Sequence, residues 1–251
     1  MLWAGSGLKT RLMQRGYLWM HEKREGGAAR YAPHGVEVRV DDRADLALRH
    51  LLARGEPYEE EEALLIRRHL GRGTPVIELG ACIGVVSALI RDVIGPSAPH
   101  ILVEADPRTA PLARENASRG ASVRAVSLVR GAISYGASPT VRFAAGANQH
   151  AGRLALGEED GFEAPAVRLS ALAAKLGSDR FALVCDIEGA ELPLVRAEAE
   201  TLARCDLVVM EFHPGAYPCG GADAADIVRR LAEAGLREVE RIGDVAAFAR
   251  G

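Results

Sequence analysis

Several features that mark common protein classes are scarce in this 251-residue sequence. It has four cysteines, Cys82, Cys185, Cys205 and Cys219, and no C-x-x-C pair, so no disulfide framework is indicated. The seven histidines show no metal-ligand spacing, and no metal is predicted. Acidic and basic residues nearly balance at a formal net charge of −3, which disfavours both nucleic acid and an anionic membrane as partners.

Long hydrophobic runs are also missing. The longest apolar stretch, residues 76–90, is interrupted by Glu78 and two glycines and is too short to cross a membrane. Residues 1–25 contain many charged residues and no unbroken apolar segment, so no signal peptide is indicated. Together with the unpaired cysteines, this predicts a cytoplasmic protein.

A regular alternation of apolar strands and helices begins near Pro75 and predicts the fold class. Strands are predicted at 75–79, 100–104, 122–128, 181–186, 206–212, 236–241 and 245–249. Helices are predicted at 84–94, 108–119, 170–177, 189–203 and 222–234. The pattern indicates an α/β protein with a seven-stranded, mostly parallel sheet and helices on both faces. Because only Gly243-Asp244 joins the last two strands, they are expected to pair antiparallel.

The regions outside this alternation divide the chain. Residues 1–56 are predicted to be an N-terminal extension of helices and a short strand that covers the ligand pocket, and residues 57–251 to be the main domain. A run of four glutamates, Glu59 to Glu62, is expected to be a solvated helix start. A further strand is predicted at 141–145, and the irregular loop at 146–164 is expected to be functional or mobile.

The most informative motif is an apolar strand that runs into a glycine turn. Gly80 and Gly84 lie in this turn, where glycine lets the backbone bend sharply and lets a ligand approach closely. About 20 residues later a second apolar strand ends in Glu104, at the distance where an acid accepts hydrogen bonds from ribose hydroxyls. The two strands together predict a nucleoside cofactor. The alternative is an ordinary strand–turn–helix of an α/β protein.

The turn lacks the full glycine pattern of a pyrophosphate site. That pattern needs glycine at positions 80, 82 and 85, but Cys82 and Val85 stand at two of them. Glu78 precedes the turn, and its carboxylate would repel phosphate and attract an amino group. S-adenosylmethionine has a ribose and an amino acid tail but no phosphate, so it is favoured over NAD, and an NAD oxidoreductase is disfavoured.

Acids follow the strand predicted at 181–186. Because ligands bind beyond the carboxyl ends of strands in an open α/β sheet, Asp186 and Glu188 are expected to face a substrate. They are candidates to orient a substrate, accept a proton or hold a divalent metal through hard oxygens, and metal-free proton transfer is preferred. The alternative is that they cap the following helix, and this interpretation is preferred for Glu191.

A third strand is followed by Glu211 and His213. A neutral imidazole near its usual pKa would be able to take a proton from an attacking hydroxyl, with Glu211 orienting it or acting itself. The alternative for His213 is a turn residue without a chemical role. In the irregular loop, Asn148 and His150 suit hydrogen bonds to a polar substrate, although a solvated loop tip is the favoured interpretation.

These motifs resemble those of the FkbM family of S-adenosylmethionine-dependent methyltransferases. The family has Gly-x-Tyr-Glu ahead of the cofactor strand, an acid-x-Gly-Ala-Asn-x-Gly turn, a Glu-Pro-x-Pro strand end and Asp-x-Glu-Gly-x-Glu at the fourth strand. Four segments match in this order. Residues 55–59 match with one extra residue, and residues 78–84 match with Cys82 in place of Asn. Residues 104–107 match with Ala105 in place of Pro, and residues 186–191 match the last element. The last segment is the most specific of the four.

The resemblance implies a Rossmann-like class I methyltransferase fold and methyl transfer from S-adenosylmethionine to a small-molecule hydroxyl, on a natural product or a sugar. The implied cofactor-binding residues are Glu78, at the methionine end, Glu104, at the ribose, and Gly80, Ala81, Cys82, Gly84, Ala105 and Asp186. The catalytic candidates are Asp186, Glu188, Glu211 and His213, and the substrate-binding candidates are Tyr58, Glu59, Asn148 and His150.

Two other functions stay open. The first is N-methylation of a small amine, in which the acids would recognise a cation rather than remove a proton. The second is a catalytically idle domain that binds a nucleoside or a protein partner. The acceptor is expected to be a small molecule rather than nucleic acid or a membrane component, and a homodimer is possible.

Overall fold

The computed structural model describes residues 8–24, 29–144, 153–154 and 161–251. In chain order the strands are β1 (Ala29–Tyr31), β2 (Val38–Val40), β3 (Val76–Leu79), β4 (His100–Glu104), β5 (Val126–Arg130), β6 (Ala132–Ile133), β7 (Thr140–Ala144), β8 (Arg153–Leu154), β9 (Gly161–Val167), β10 (Phe181–Cys185), β11 (Cys205–Glu211), β12 (Leu236–Ile242) and β13 (Val245–Arg250). The helices are α1 (Leu8–Arg24), α2 (Leu46–Ala53), α3 (Glu60–His69), α4 (Val85–Ile94), α5 (Ala110–Ala117), α6 (Leu169–Leu176), α7 (Glu191–Ala197), α8 (Ala199–Leu202) and α9 (Gly221–Glu233), and Pro33–Gly35 forms a short 3₁₀ turn. Among these residues, no helix combines the length and the apolar character needed to cross a membrane.

A seven-stranded sheet forms the centre of the protein, in the order β12-β13-β11-β10-β3-β4-β5. Strands β3, β4, β5, β10 and β11 run parallel, and β13 runs antiparallel to both of its neighbours. This arrangement confirms the predicted fold class, including the antiparallel pairing of the last two strands. The chain moves from β3 outwards to β5 and then crosses back to β10. The strand order therefore reverses between β3 and β10, which is where open α/β sheets bind ligands.

Each face of the sheet buries its own apolar cluster under helices. Helices α6, α7 and α9 cover one face, and α3 and α4 cover the other. Along β10, Phe181, Leu183 and Cys185 point to the first cluster and Val184 to the second, because successive side chains of a strand face opposite sides. Cys185 and Cys205 are free and fully buried, as small apolar residues of the core.

Two elements differ most from the prediction. Strand β5 begins at residue 126 rather than 122, because two turns precede it, closed by hydrogen bonds from the N–H groups of Ala121 and Ala125 to the carbonyl oxygens of Ser118 and Ser122. The helix predicted at 189–203 is divided into α7 and α8 at Glu198, whose φ of −121° and ψ of 32° are not helical. The carboxylate of Glu198 also accepts the Thr201 hydroxyl hydrogen bond at 2.7 Å, which stabilises the start of α8.

A second sheet, in the order β6-β9-β7-β8, is the main element that the sequence does not predict. The strand expected at 141–145 is present as β7, but β9 occupies 161–167, within the irregular stretch. The sequence does not indicate β9 because this strand contains Gly161 and Pro165, and glycine and proline are depleted in strands. Strand β6 follows β5 almost directly, so this second sheet lies beside the carboxyl end of β5.

Residues 29–56 pack beside the glycine turn. Strands β1 and β2 form an antiparallel hairpin, and Asp45 caps α2 by accepting a hydrogen bond from the Leu48 N–H at 2.8 Å. Leu48 shares an apolar cluster with Leu112 of α5 and with residues at the start of α4. Among the described residues, those that line the candidate ligand cleft begin at Tyr58, and the covering of the pocket by residues 1–56 stays a prediction. The domain boundary at 56 stays a prediction.

Candidate functional site

A deep cleft lies at the carboxyl edge of the central sheet, where β3, β4 and β10 end. This edge cleft encloses about 790 Å³, its open mouth included, which suits a small-molecule site. Its described walls carry five carboxylates and no lysine, arginine or histidine. The five are Glu59, Glu62, Glu104, Asp186 and Glu188. The cleft is therefore built for a ligand that carries positive charge.

Gly80 lets the end of β3 approach the end of β10. Its φ is +88°, and a Cβ atom at this position would lie 1.7 Å from the carbonyl oxygen of Asp186. The N–H groups of Gly80 and Ala81 both donate to the carbonyl oxygen of Val103, at 3.0 and 3.1 Å, so the turn also lies against β4. Gly80, Ala81 and Cys82 consequently form part of the cleft wall.

Two residues of the predicted cofactor set do not line the edge cleft. Gly84 has a φ of +84°, and a Cβ atom there would lie 2.7 Å from the Cα of Ala113, so this glycine serves the packing of α5. Glu78 is buried beneath the turn, where it accepts the Ser87 hydroxyl at 2.8 Å and lies 2.9 Å from Nε2 of His100. Buried partners engage both of its oxygens, and the place of Glu78 at the methionine end of the cofactor stays a prediction.

Glu104 reaches the cleft from the end of β4. It is 8% exposed, and its two oxygens accept hydrogen bonds from the backbone N–H groups of Cys82 and Asp106, each at 2.7 Å. Burial raises the pKa of Glu104 to about 7, although these two hydrogen bonds favour the ionised form. Each oxygen has further capacity to accept hydrogen bonds, so the predicted contact with ribose hydroxyls is compatible with this geometry. Ala105 lines the cleft beside it.

The four predicted catalytic residues converge beside the cleft. Nε2 of His213 lies 3.5 Å from Oδ1 of Asp186 and 3.5 Å from Oε2 of Glu188. The same nitrogen lies 3.7 Å from Oε1 of Glu211. The parallel pairing of β10 with β11 brings these residues together, because the two strands end at the same edge. Their catalytic roles stay predictions.

Glu191 holds the imidazole of His213 in place. Its Oε1 lies 3.1 Å from Nδ1 of His213, and its Oε2 accepts the Tyr217 hydroxyl at 3.0 Å. The side chain of Glu191 is fully buried and also accepts the N–H groups of Ile187 and Gly189. The sequence indicates only a residue at a helix start. Its contact with His213 cannot be read from local spacing, since 22 positions separate the two residues.

His213 is a cation at neutral pH. Burial opposes its charge, but the hydrogen bond to Glu191 and the charges of Glu191, Glu188 and Glu211 outweigh burial and raise the pKa of His213 to about 9. Both nitrogens of an imidazolium are donors, so neither accepts a proton. The raised pKa favours the charged ring over the neutral one that a base needs, and the role of His213 as the base stays a prediction. His213 instead offsets the negative charge of the carboxylates around it.

The carboxylates of this cluster lie where the protonated form is favoured. Burial, and then the charges of Glu59 and Glu211, raise the pKa of Asp186 well above its ordinary value. Oδ1 of Asp186 is buried and accepts no hydrogen bond from the described residues. Burial also raises the pKa of Glu211, although the charge of His213 opposes this shift. Carboxyl groups perturbed in this way, at the edge of a cleft, are typical of functional sites.

The same cluster contains a set of atoms close enough to hold a metal ion. Asp186, Glu211 and His213 each offer one ligand atom, and these atoms lie within 4.8 Å of one another. Carboxylate oxygens with one imidazole suit a hard divalent cation. The imidazolium of His213 supplies positive charge at the same place, however. Metal-free chemistry therefore stays the prediction.

Helix α3 brings two further acids to the cleft. Tyr58 and Glu59 line it just before the helix, and burial, followed by the charge of Glu211, raises the pKa of Glu59 to about 7. Glu62 also lines it and is only 3% exposed, so the expectation of a solvated helix start is wrong for this residue. The spacing of apolar residues along the helix indicates this burial, although the prediction did not use it. Glu62 precedes the buried Leu65 and Ile66 by three and four positions and shares their face.

Backbone strain is concentrated at the cleft. Three of its non-glycine residues have a positive φ, namely Glu59 at 53°, Cys82 at 47° and Glu188 at 50°. Such conformations cost about 1–3 kcal/mol each and are found mainly where the surrounding structure needs them for function.

Of the predicted substrate-binding residues, Asn148 and His150 lie outside the described residues.

The sheet order, the glycine turn without a phosphate pattern and the acid at the end of β4 define the class of protein. The fold is the Rossmann-like fold of S-adenosylmethionine-dependent methyltransferases. The chain belongs to the FkbM family, because the family model described as a methyltransferase FkbM domain matches residues 78–238, more than half of its length. S-adenosylmethionine is its cofactor and methyl transfer its reaction class, as the sequence motifs predict.

Three solved structures illustrate what this chain is similar to. They are fibrillarin from Aeropyrum pernix with natively bound S-adenosyl-L-methionine (13% identity, 74% of this chain and 71% of that chain covered, TM-score 0.44), a TehB-like SAM-dependent methyltransferase from Corynebacterium glutamicum (15%, 82% and 95%, 0.45), and ribosomal protein L11 methylase from Lactobacillus delbrueckii subsp. bulgaricus (15%, 75% and 75%, 0.41). Because these TM-scores are below 0.5, the similarities carry no argument about the substrate. No curated protein sequence matches the chain significantly.

Proposed function

We propose that the protein methylates a hydroxyl group of a small molecule, such as a natural product or a sugar. One observation carries this proposal. Asp186, Glu188 and Glu211 surround Nε2 of His213 at 3.5 to 3.7 Å, beside the cleft that takes the cofactor. A hydroxyl loses its proton when it is methylated, and positioned carboxylates are suitable acceptors.

The chain contributes alignment and proton transfer. S-adenosylmethionine supplies an activated methyl group when it is bound. Asp186 and Glu188 lie on the cleft wall at the end of β10, where their carboxylates are placed to accept a hydrogen bond from an acceptor hydroxyl. Holding the hydroxyl in this way orients it toward the cofactor, and alignment alone supplies a large part of the rate in such reactions.

Glu211, which lies beside the cleft rather than on its wall, is the proposed proton acceptor of the cluster. Its side chain is 28% exposed, against 20% for Asp186, so it is the more accessible of the two. Its raised pKa brings it closer to neutral pH, where a general base is most effective. The positive charge of His213 keeps part of the cluster ionised, so that a carboxylate is available to take the proton.

N-methylation of a small amine is the second candidate function. The observation that favours it is the charge of the edge cleft, whose described walls carry five carboxylates and no basic residue. An amine-bearing acceptor would be attracted electrostatically and would lose its proton to the carboxylates before transfer. The first function is preferred because the cluster around His213 provides more carboxylates than recognition of one amine requires.

The two functions, and a catalytically idle domain, are separated by one assay. S-adenosylmethionine carrying a ¹³C-methyl group is mixed with matched acceptors, for example a sugar and its amino sugar. The methyl carbon signal then shows whether oxygen or nitrogen is labelled. We expect O-methyl product, reduced at least about 100-fold in Glu211→Gln and unchanged in the exposed control Glu233→Gln. Label on nitrogen alone would assign the second function, and cofactor binding without any transfer would support an idle domain.

A further inference from the structure

Glu62 is the most unusual side chain of the edge cleft. It is 3% exposed, in the first turn of α3, and it lines the cleft. Within the part of the chain that the structure describes, its carboxylate has no hydrogen-bond or ion-pair partner. The other glutamates of this turn, Glu60 and Glu61, are exposed.

An unpartnered carboxylate at this depth is costly. Moving an ionised group away from water without a partner costs several kcal/mol, and proteins avoid it unless a ligand supplies the missing charge. Burial, and then the charges of Glu59 and Glu211, raise the pKa of Glu62 well above its usual value. No arginine, lysine or histidine among the described lining residues relieves this cost. A cation that enters the cleft would favour the ionised form of Glu62 and offset this cost.

The position of Glu62 selects which cation it meets. Glu104, the predicted ribose acceptor, ends β4. Helix α3, which carries Glu62, packs against α4, β11 and β13, and in the sheet order β11 and β13 lie on the other side of β3 from β4. Neighbouring strands are about 4.8 Å apart, so β4 and β10 are separated by about 10 Å. The cleft thus runs from Glu104 toward β10, with Glu62 near this second end. A cofactor whose ribose is at Glu104 directs its amino acid tail to Glu62.

We propose that Glu62 binds the α-ammonium group of the methionine part of S-adenosylmethionine. This group is the cofactor's hydrogen-bonding cation, with three N–H donors, whereas the sulfonium has none. A charged hydrogen bond to a desolvated carboxylate is among the stronger contacts that a protein makes to a ligand. The inference depends on the cofactor, which the proposed function shares, and not on the nature of the acceptor.

The test uses the full chain and two ligands that differ in the amino acid tail. S-adenosylhomocysteine has the ammonium group, and 5′-methylthioadenosine keeps the adenosine and the sulfur but lacks the whole tail. Calorimetric titration is performed on the wild type, on Glu62→Gln and on the exposed control Glu60→Gln. We expect Glu62→Gln to weaken S-adenosylhomocysteine at least tenfold and to leave methylthioadenosine within twofold. Glu60→Gln should change neither affinity.

Each other outcome overturns the inference. Tighter binding of S-adenosylhomocysteine to Glu62→Gln would place Glu62 against the carboxylate of the tail. Equal losses for both ligands would show a general effect on the cleft, and unchanged affinities would remove Glu62 from recognition. A gain in affinity from Mg²⁺ that disappears in Glu62→Gln would assign the residue to a metal instead. If the glutamine variant does not fold, Glu62→Leu has a similar volume, and the same selective loss is expected.

The proposed function fails on different evidence. A wild type that binds S-adenosylhomocysteine through Glu62 but never transfers methyl to a hydroxyl would contradict O-methylation and leave this inference standing. Normal O-methylation by Glu62→Gln at saturating cofactor, with unchanged affinity for S-adenosylhomocysteine, would do the opposite.

Discussion

Nδ1 of His213 lies 3.1 Å from Oε1 of Glu191, a carboxylate that is completely buried. This contact fixes the imidazole ring so that its other nitrogen faces Asp186, Glu188 and Glu211. A buried carboxylate on one side and three more on the other make the positive form of the ring strongly favoured. The pair therefore decides both the orientation and the charge of His213.

Replacing Glu191 should lower the pKa of His213. The variant Glu191→Gln keeps the shape of the side chain but removes the charge and the hydrogen-bonded carboxylate. We expect the pKa of His213, about 9 in the wild type, to fall toward its ordinary value, as measured by NMR titration of the imidazole carbon signals. Glu198→Gln, a buried glutamate bonded to Ser170 and Thr201, is the control. An unmoved His213 titration in Glu191→Gln would contradict this account.

His213 should make the stability of the protein fall at high pH. Its pKa rises from 6.5 unfolded to about 9 folded, so the protonated ring stabilises the fold fully below about pH 6.5. That contribution, at most roughly 3 kcal/mol, is lost as pH rises through about 9. We expect the difference in unfolding free energy between wild type and His213→Gln to shrink across this window in urea titrations. A difference that stays constant from pH 6 to 10 would rule out the linkage.

Glu104→Gln should weaken every ligand that carries the ribose. The glutamine would keep one acceptor oxygen for the two N–H donors, Cys82 and Asp106, and would set its own N–H₂ donor against the other. It would also lose the charge that accepts ribose hydroxyls. We expect S-adenosylhomocysteine and 5′-methylthioadenosine to lose affinity together, by about 1.5–3 kcal/mol. This is the opposite of the selective loss predicted for Glu62→Gln. Unchanged affinity for both ligands would place Glu104 outside the ribose site.

The acids at the ends of β10 and β11 should affect turnover more than cofactor binding. We expect Glu211→Gln and the double variant Asp186→Asn, Glu188→Gln to lose at least about 100-fold in turnover. Affinity for S-adenosylhomocysteine should change less than fivefold in Glu211→Gln, which does not line the cleft. Full activity in the double variant would leave Asp186 and Glu188 as residues of the helix start.

Removal of divalent metal should leave activity intact. His213 already supplies a positive charge among Asp186, Glu188 and Glu211, so the cluster does not need an ion for charge balance. We expect equal turnover before and after dialysis against EDTA. Loss of activity that Mg²⁺ or Mn²⁺ restores would show instead that Asp186, Glu211 and His213 hold an ion.

Local sequence patterns account for the central sheet and for where its functional residues begin. Apolar runs of strand length ending in glycine or acid locate β3, β4, β10 and β11 within a residue or two. The same patterns place Gly80, Glu104 and Asp186 at one edge, because parallel strands of an open sheet share their carboxyl ends. Strand β9 was not predictable in this way, since Gly161 and Pro165 break its pattern and only pairing with β7 makes it a strand.

Tertiary structure decided what the charged groups near that edge do. Sequence indicates that Glu78 precedes a turn, but only folding brings His100 against it and removes it from the cleft. Glu62 and Glu61 are adjacent, yet the rotation of α3 on the sheet buries the first and exposes the second. The charge of His213 depends on Glu191, which lies 22 positions away in the chain. Burial and electrostatic fields arise from residues distant in sequence, so local spacing locates these side chains but does not determine their protonation or their partners.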